Sequence, residues 1–185
     1  MSAATENLLT AEEYRLLPDN GRPTELVGGR VVEMNMPAPR HGYFCANITE
    51  ILSGFVRQHD LGRVMSNDSG VVTHRGPDTV RGADVCYYSY IRLPKGPLPE
   101  GYLSITPELI FEVRSPTDRW SQVLAKVSEY LNAAVLVVCV LDPQTETLIV
   151  YHADEIQRVL TADDELSLPD LLGPDFRVPV RRFLE

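Results

Sequence analysis

Two acidic residues stand inside otherwise apolar segments: Asp84 in Gly-Ala-Asp-Val-Cys-Tyr-Tyr and Glu112 in Leu-Ile-Phe-Glu-Val-Arg. Strands are poor in Asp and Glu because a half-buried pleated surface does not solvate a carboxylate. One such acid more often bridges to an arginine than does chemistry. Two of them, with a third at Glu25, shift the balance towards a metal site. Carboxylates about 4–6 Å apart raise one another's pKa unless a cation lies between them. Ligation by Asp and Glu oxygens suits hard Mg²⁺ or Mn²⁺. His41, His59, His74 and His152 are scattered, and Cys45, Cys86 and Cys139 have no paired spacing, so no zinc or disulfide pattern is legible. The strand period of two predicts that Asp84 shares a face with Cys86 and Tyr88, and Glu112 with Ile110 and Arg114.

Lysine chemistry has two possible carriers, Lys95 and Lys126, against 15 arginines. Lys95, between Pro94 and Gly96, reads as a solvated loop residue. Lys126 lies just off an apolar helical stripe, beside Tyr130 and one face along from Arg119. It either snorkels to solvent or reaches back to the end of the Glu112 strand.

The elements that must position these groups follow from periodicity and turn chemistry. Thr10-Ala-Glu-Glu13 is a capping box for a short helix ending near Pro18. Gly28-Gly29 joins two strand-like runs into a hairpin. Phe44, Ile48, Ile51, Leu52, Phe55 and Val56 predict a helix from His41 to Gln58. Strands are expected at 62–66, 70–74, 83–88 and 109–113. A helix is then expected from Thr117 or Asp118 to Ala133, followed by a buried strand at 135–141 and a hairpin into 146–152. The Asp-, Leu- and Pro-rich tail reads as an irregular lid with one more short strand. Strand, helix, strand over 109–141 is a crossover unit, so a mixed sheet with helices on its faces is the economical arrangement.

The motifs occur in a specific order: Glu25-Leu-Val-Gly-Gly-Arg30-Val-Val-Glu33, Pro39-Arg-His41, Pro77-Asp-Thr-Val-Arg81-Gly-Ala-Asp84-Val85, Pro107-Glu-Leu-Ile-Phe-Glu112-Val-Arg-Ser115-Pro116, Lys126-Val-Ser-Glu-Tyr130-Leu131 and Val140-Leu-Asp142-Pro143. This succession resembles the Uma-two family of restriction-endonuclease-like proteins, within the PD-(D/E)XK nuclease superfamily. The resemblance implies an α/β (α+β) restriction-endonuclease-like fold, a mixed β-sheet flanked by helices, with β-hairpins. It also implies a Mg²⁺- or Mn²⁺-dependent endonuclease that hydrolyses DNA phosphodiester bonds with an activated water. Asp84 would be the motif Asp, Glu112 the motif acid and Glu25 the accessory acid, the three being the metal ligands. Two departures matter. Ala83 replaces the superfamily's Pro, and Arg114 replaces its motif Lys. Arginine stays protonated, so Arg114 would stabilise charge rather than relay a proton. Lys126, resembling the family's migrated lysine, would join Asp84 and Glu112 as a catalytic residue. Arg119 would screen phosphate charge with Arg114. His41 matches a family position, with metal contact, phosphate contact or helix capping as its possible roles. Ser115 and Asp118 read as turn and cap residues. Ala134 and Cys139 stand where the family often has Gly and Trp.

The 185 residues fit one domain, 1–185, and the composition is that of an ordinary globular chain. A formal charge of −9 argues against tight, sequence-independent binding to nucleic acid, which needs a cationic surface. The excess is uneven: residues 20–126, which hold every candidate group, carry 12 basic and 11 acidic side chains. No segment suits a signal peptide or a membrane span, so a cytoplasmic protein is expected, acting on DNA. Cutting both strands from single active sites invites a homodimer. Two rivals remain: a catalytically silent nuclease-fold domain for binding or assembly, and a hydrolase of a small phosphodiester.

Overall fold

In the computed structural model, which describes residues 7–185, the expected hairpins and amphipathic helices assemble around one large sheet. The first six residues, counted in the single-domain reading, lie outside the described residues. Thr10 caps α1 (Ala11–Arg15): its hydroxyl accepts from the Glu13 N–H at 3.2 Å, while Glu13 Oε2 accepts from the Thr10 N–H at 2.8 Å. β1 (Thr24–Val27) and β2 (Arg30–Glu33) pair around Gly28 and Gly29. Their φ values of 56° and 77° are the two left-handed conformations that a type I′ turn requires.

α2 (Pro39–Gln58) buries Phe44, Ile48, Leu52 and Val56, one residue per turn. β3 (Gly62–His74) and β4 (Thr79–Ser89) then form a long antiparallel pair. The sequence predicts a break in β3 after Ser66. The structure has a bulge there, where Asn67 and Asp68, at φ 66° and 53°, stand opposite Asp84 between the pairs Ser66↔Val85 and Ser69↔Ala83. The extra residue re-aims the strand without ending it.

β5 (Leu109–Val113) and β6 (Val137–Asp142) run parallel, joined through α3 (Trp120–Asn132), as the crossover reading requires. β7 (Thr147–His152) and β8 (Arg158–Thr161) follow antiparallel, giving the order β2-β1-β4-β5-β6-β7-β8, with β3 also on β4. The α2 face of the sheet buries Val85, Tyr87, Phe111 and Cys139 with Phe44 and Ile48. The α3 face buries Cys86, Tyr88, Ile110 and Val138 with Val127 and Tyr130. Among the described residues no helix is long and apolar enough to cross a membrane.

Two expectations are corrected. The tail is no lid: β9 (Glu165–Ser167), α4 (Pro169–Leu172), β10 (Arg177–Pro179) and a 3-10 turn (Val180–Phe183) place Leu166, Leu172, Phe176, Val180 and Phe183 in the α2-side core. Its Asp and Pro residues mask that apolar spacing. α3 begins at Trp120, not at Thr117 or Asp118, because the Asp118 carboxylate accepts from the Ser115 N–H at 2.8 Å and holds a separate turn ahead of the helix. Arg119, rather than Asp118, is then the N-cap residue.

Candidate active site

The site forms where one edge of β4 lacks a strand. On that edge β1 pairs only at Val80 and β5 only from Val85, so 81–84 lie between them, while β3 covers the other edge. Exposed backbone polar groups at such an opening need partners. Side chains supply them. Glu25 Oε1 accepts from the Gly82 N–H at 3.1 Å, and Asp84 Oδ2 accepts from the Val113 N–H at 2.6 Å. A Cβ at Gly82 would stand 3.0 Å from Asp68 Cβ, so a larger residue there would press on the β3 bulge.

Around this opening the structure gathers Glu25 from β1, Asp84 from β4, Glu112 from β5 and Lys126 from α3. Lys126 Nζ lies 2.8 Å from Glu25 Oε1 and 3.7 Å from Glu112 Oε2. Glu25, only 4% exposed, also accepts from Arg81 Nη1 at 2.8 Å. Arg81 in turn forks onto both oxygens of Glu129 at 2.7 Å. Tyr130, one turn beyond Lys126, donates to Glu112 Oε1 at 2.9 Å. The choice between a snorkelling and an inward lysine is thereby decided: Lys126 reaches the strand end.

Burial pushes the Glu112 carboxyl up to about 8; Lys126 opposes the rise and Asp84 adds to it. Burial would raise Glu25 as well, but Lys126 and Arg81 outweigh it and hold that acid below its ordinary value. Burial works against the charge on Lys126, yet Glu112 and Glu25 prevail and keep its pKa above that of a free lysine. Lys126 is therefore a fixed cation, suited to stabilising charge and unsuited to taking up a proton. Glu25, Asp84 and Glu112 offer only carboxylate oxygen, the donor type a hard divalent ion takes, but among the described residues their oxygens do not form a set of three within 4.8 Å of one another, and Lys126 is the cation that stands against Glu25 and Glu112 here.

Asp84 departs from the face expected of it. Rather than siding only with Cys86 and Tyr88, it meets His41 Nε2 of α2 at 3.4 Å through Oδ2. His41 Nδ1 lies 3.5 Å from Cys45 Sγ. The hydrogen bond to Asp84 and the contact with Cys45 push His41 up to about 11 against its burial. The reading that histidine and cysteine form no cluster is thus corrected: helical i,i+4 spacing sets His41 and Cys45 side by side. Arg114 is held elsewhere, by Asp142 Oδ2 at 2.9 Å, Gln144 at 3.2 Å and the Asp118 carbonyl at 3.1 Å, with its guanidinium over Trp120. Arg119 is exposed at the start of α3.

Four groups at the opening escape sequence reading: Arg81, Tyr130, Cys45 and Asp68. Tyr130 and Cys45 carried a signal, the one-turn spacing from Lys126 and His41. Asp68 carried none, because a bulge between two strands brings it there. Partial desolvation and the Asp84 charge raise its pKa.

No curated protein matches the chain. Among solved structures, a crystal structure titled as "a putative nuclease belonging to DUF820" from Anabaena variabilis superposes with a TM-score of 0.80. It is 17% identical, over 95% of this chain and 97% of that one, which establishes a shared fold. The Uma2 family, described as "Putative restriction endonuclease", matches residues 11–181, from the first turn of α1 into the last 3-10 turn, and the chain belongs to that family.

Proposed function

We propose that the protein is a Mg²⁺- or Mn²⁺-dependent endonuclease that hydrolyses DNA phosphodiester bonds at the opening on β4. Asp84 and Glu112 are the ion ligands, with Glu25 adjoining. The observation that carries this reading is Lys126, a half-buried lysine fixed between acids from two separate strands. When bound, the ion supplies a water of lowered pKa and a counter-charge for the phosphoryl group. Lys126, positioned by Glu25 and permanently charged, orients the attacking water or stabilises the negative charge that builds on phosphate oxygens. Tyr130 fixes the Glu112 carboxyl, and His41 steadies Asp84. Arg119 is the cation offered to the phosphate backbone. Arg114, held through its two terminal nitrogens, braces the turn between β5 and α3.

A plasmid-nicking assay tests this. Wild type is expected to cut with Mg²⁺ or Mn²⁺, and Asp84→Ala and Lys126→Ala are each expected to lose roughly 100-fold or more. Cutting that survives Asp84→Ala or a chelator overturns the mechanism. A folded protein that binds Mg²⁺ and DNA without cutting would favour the silent domain, and cleavage confined to small phosphodiesters would favour the third reading.

A further inference from the structure

The α2 side of β4 holds a donor set different in kind from the carboxylates facing Lys126. His41 and Cys45 are one helical turn apart near the start of α2, and Asp84 meets them from the strand. Taking one ring nitrogen of His41, the three donor atoms lie within 4.8 Å of one another. A tetrahedral ion with bonds of about 2.3 Å to sulfur and about 2.0 Å to nitrogen or oxygen sets its donors roughly 3.3–3.6 Å apart. Cys45 Sγ lies 3.5 Å from Nδ1 and Asp84 Oδ2 lies 3.4 Å from the other nitrogen, Nε2, so each ring nitrogen has one partner at that separation. One imidazole presents a single nitrogen to an ion, so binding requires the side chains to rotate until Sγ and a carboxylate oxygen approach the same nitrogen. His41 and Cys45 are half-buried rather than sealed, which leaves an entry path.

We infer that His41, Cys45 and Asp84 form a second metal site, selective for a thiophilic divalent ion such as Zn²⁺. Thiolate and imidazole prefer Zn²⁺ or Co²⁺ to Mg²⁺, which seeks oxygen. The charges balance. Without metal the set is imidazolium, carboxylate and thiol, neutral in sum. Binding breaks the S–H bond and removes the imidazolium proton, so two protons leave and one dication enters a set of thiolate, neutral imidazole and carboxylate, again neutral. Asp68 faces Asp84, His41 and Cys45 from the β3 bulge and keeps the surroundings favourable to a cation. Three protein ligands leave a fourth position for water. The site shares Asp84 with the nuclease reading but needs neither Glu112 nor Lys126, and it stands or falls separately.

Titration of the full-length protein with Co²⁺, followed by absorption, tests it. Wild type is expected to show a thiolate-to-cobalt charge-transfer band and the strong visible bands of a four-coordinate ion. Cys45→Ser should abolish the charge-transfer band and weaken binding tenfold or more, whereas Glu112→Gln should leave it intact. Cys86 and Cys139 are fully buried in the two cores and do not reach an ion. Should Cys45→Ser fail to fold, protection of Cys45 from alkylation by Zn²⁺ in the wild type, read by mass spectrometry, gives the same answer. Absence of the band in folded wild type, its persistence in Cys45→Ser, its loss in Glu112→Gln, or Cys45 alkylation unchanged by Zn²⁺ overturns the site. None of these readouts depends on DNA cleavage, so failure of the nuclease reading leaves the result standing.

Discussion

Ala134 adopts φ 66° just beyond α3, in the left-handed region that suits glycine. Its N–H donates to the Leu131 carbonyl at 3.0 Å, and the Val135 N–H donates to the Tyr130 carbonyl at 3.1 Å, the two bonds of a Schellman cap. A glycine at this position would adopt that conformation without the strain on Cβ. Ala134→Gly is expected to stabilise the protein by about 0.5–1 kcal/mol, seen as a rise in Tm of about 2 °C. An unchanged or lowered Tm would mean that the left-handed turn costs alanine nothing here. The candidate site is legible residue by residue to a similar depth. Glu25, Glu112 and Lys126 announce themselves by charge in apolar surroundings, and the structure joins them. Arg114 looked equivalent by strand parity, yet parity gives a face and not a partner, and Asp142 claims it. Asp68 is invisible to any local pattern, since its place depends on the register between β3 and β4.

At the scale of elements, helices and hairpins with strong periodicity or Gly-Gly turns lie where the sequence predicts, because their determinants are local. What is held by distant contacts is less legible. The tail joins the core through Phe176 and Phe183 across a long stretch of chain, and α1 meets the sheet through Ala11, packed on Leu26 and Val80, and through bonds that include one to a distant acid. Asp78, buried between β3 and β4, accepts from the Ala11 N–H at 2.8 Å, the Gly76 N–H at 3.2 Å and Arg75 Nη1 at 2.7 Å. Burial alone would raise its pKa, but those donors outweigh it and lower it. An acid whose folded pKa is depressed contributes stability in full above its unfolded value and loses it as pH falls through the folded value. Asp78→Asn is therefore expected to cost about 1–3 kcal/mol at pH 7, with the gap to wild type closing as pH drops below about 4. Thermal melts of both proteins across that range check it. A gap that stays constant into acid would show that the loss comes from shape and not from charge.

On the scale of the molecule, the −9 charge is arranged rather than spread. The 59 residues from 127 onward carry four arginines against 11 acids, whereas 20–126 are nearly balanced. β7 and β8 close the sheet at the edge opposite β2 and β1, so much of the acidic load begins away from Glu25. Under the nuclease proposal, a DNA-binding face built from so few cations would have to rely on the ion to offset its own carboxylates. Two outcomes follow from the nuclease proposal. Binding of a short duplex, read by fluorescence anisotropy, should tighten at least tenfold when Ca²⁺, which fills oxygen sites without supporting cleavage, replaces EDTA. Its logarithmic dependence on KCl should be shallow, with a slope of magnitude under about 4, because each neutralised phosphate contributes about 0.9. A steep slope, or equal affinity in EDTA and Ca²⁺, would place DNA on a cationic surface remote from Asp84 and Glu112, and the carboxylate cluster would then lack the substrate proposed for it.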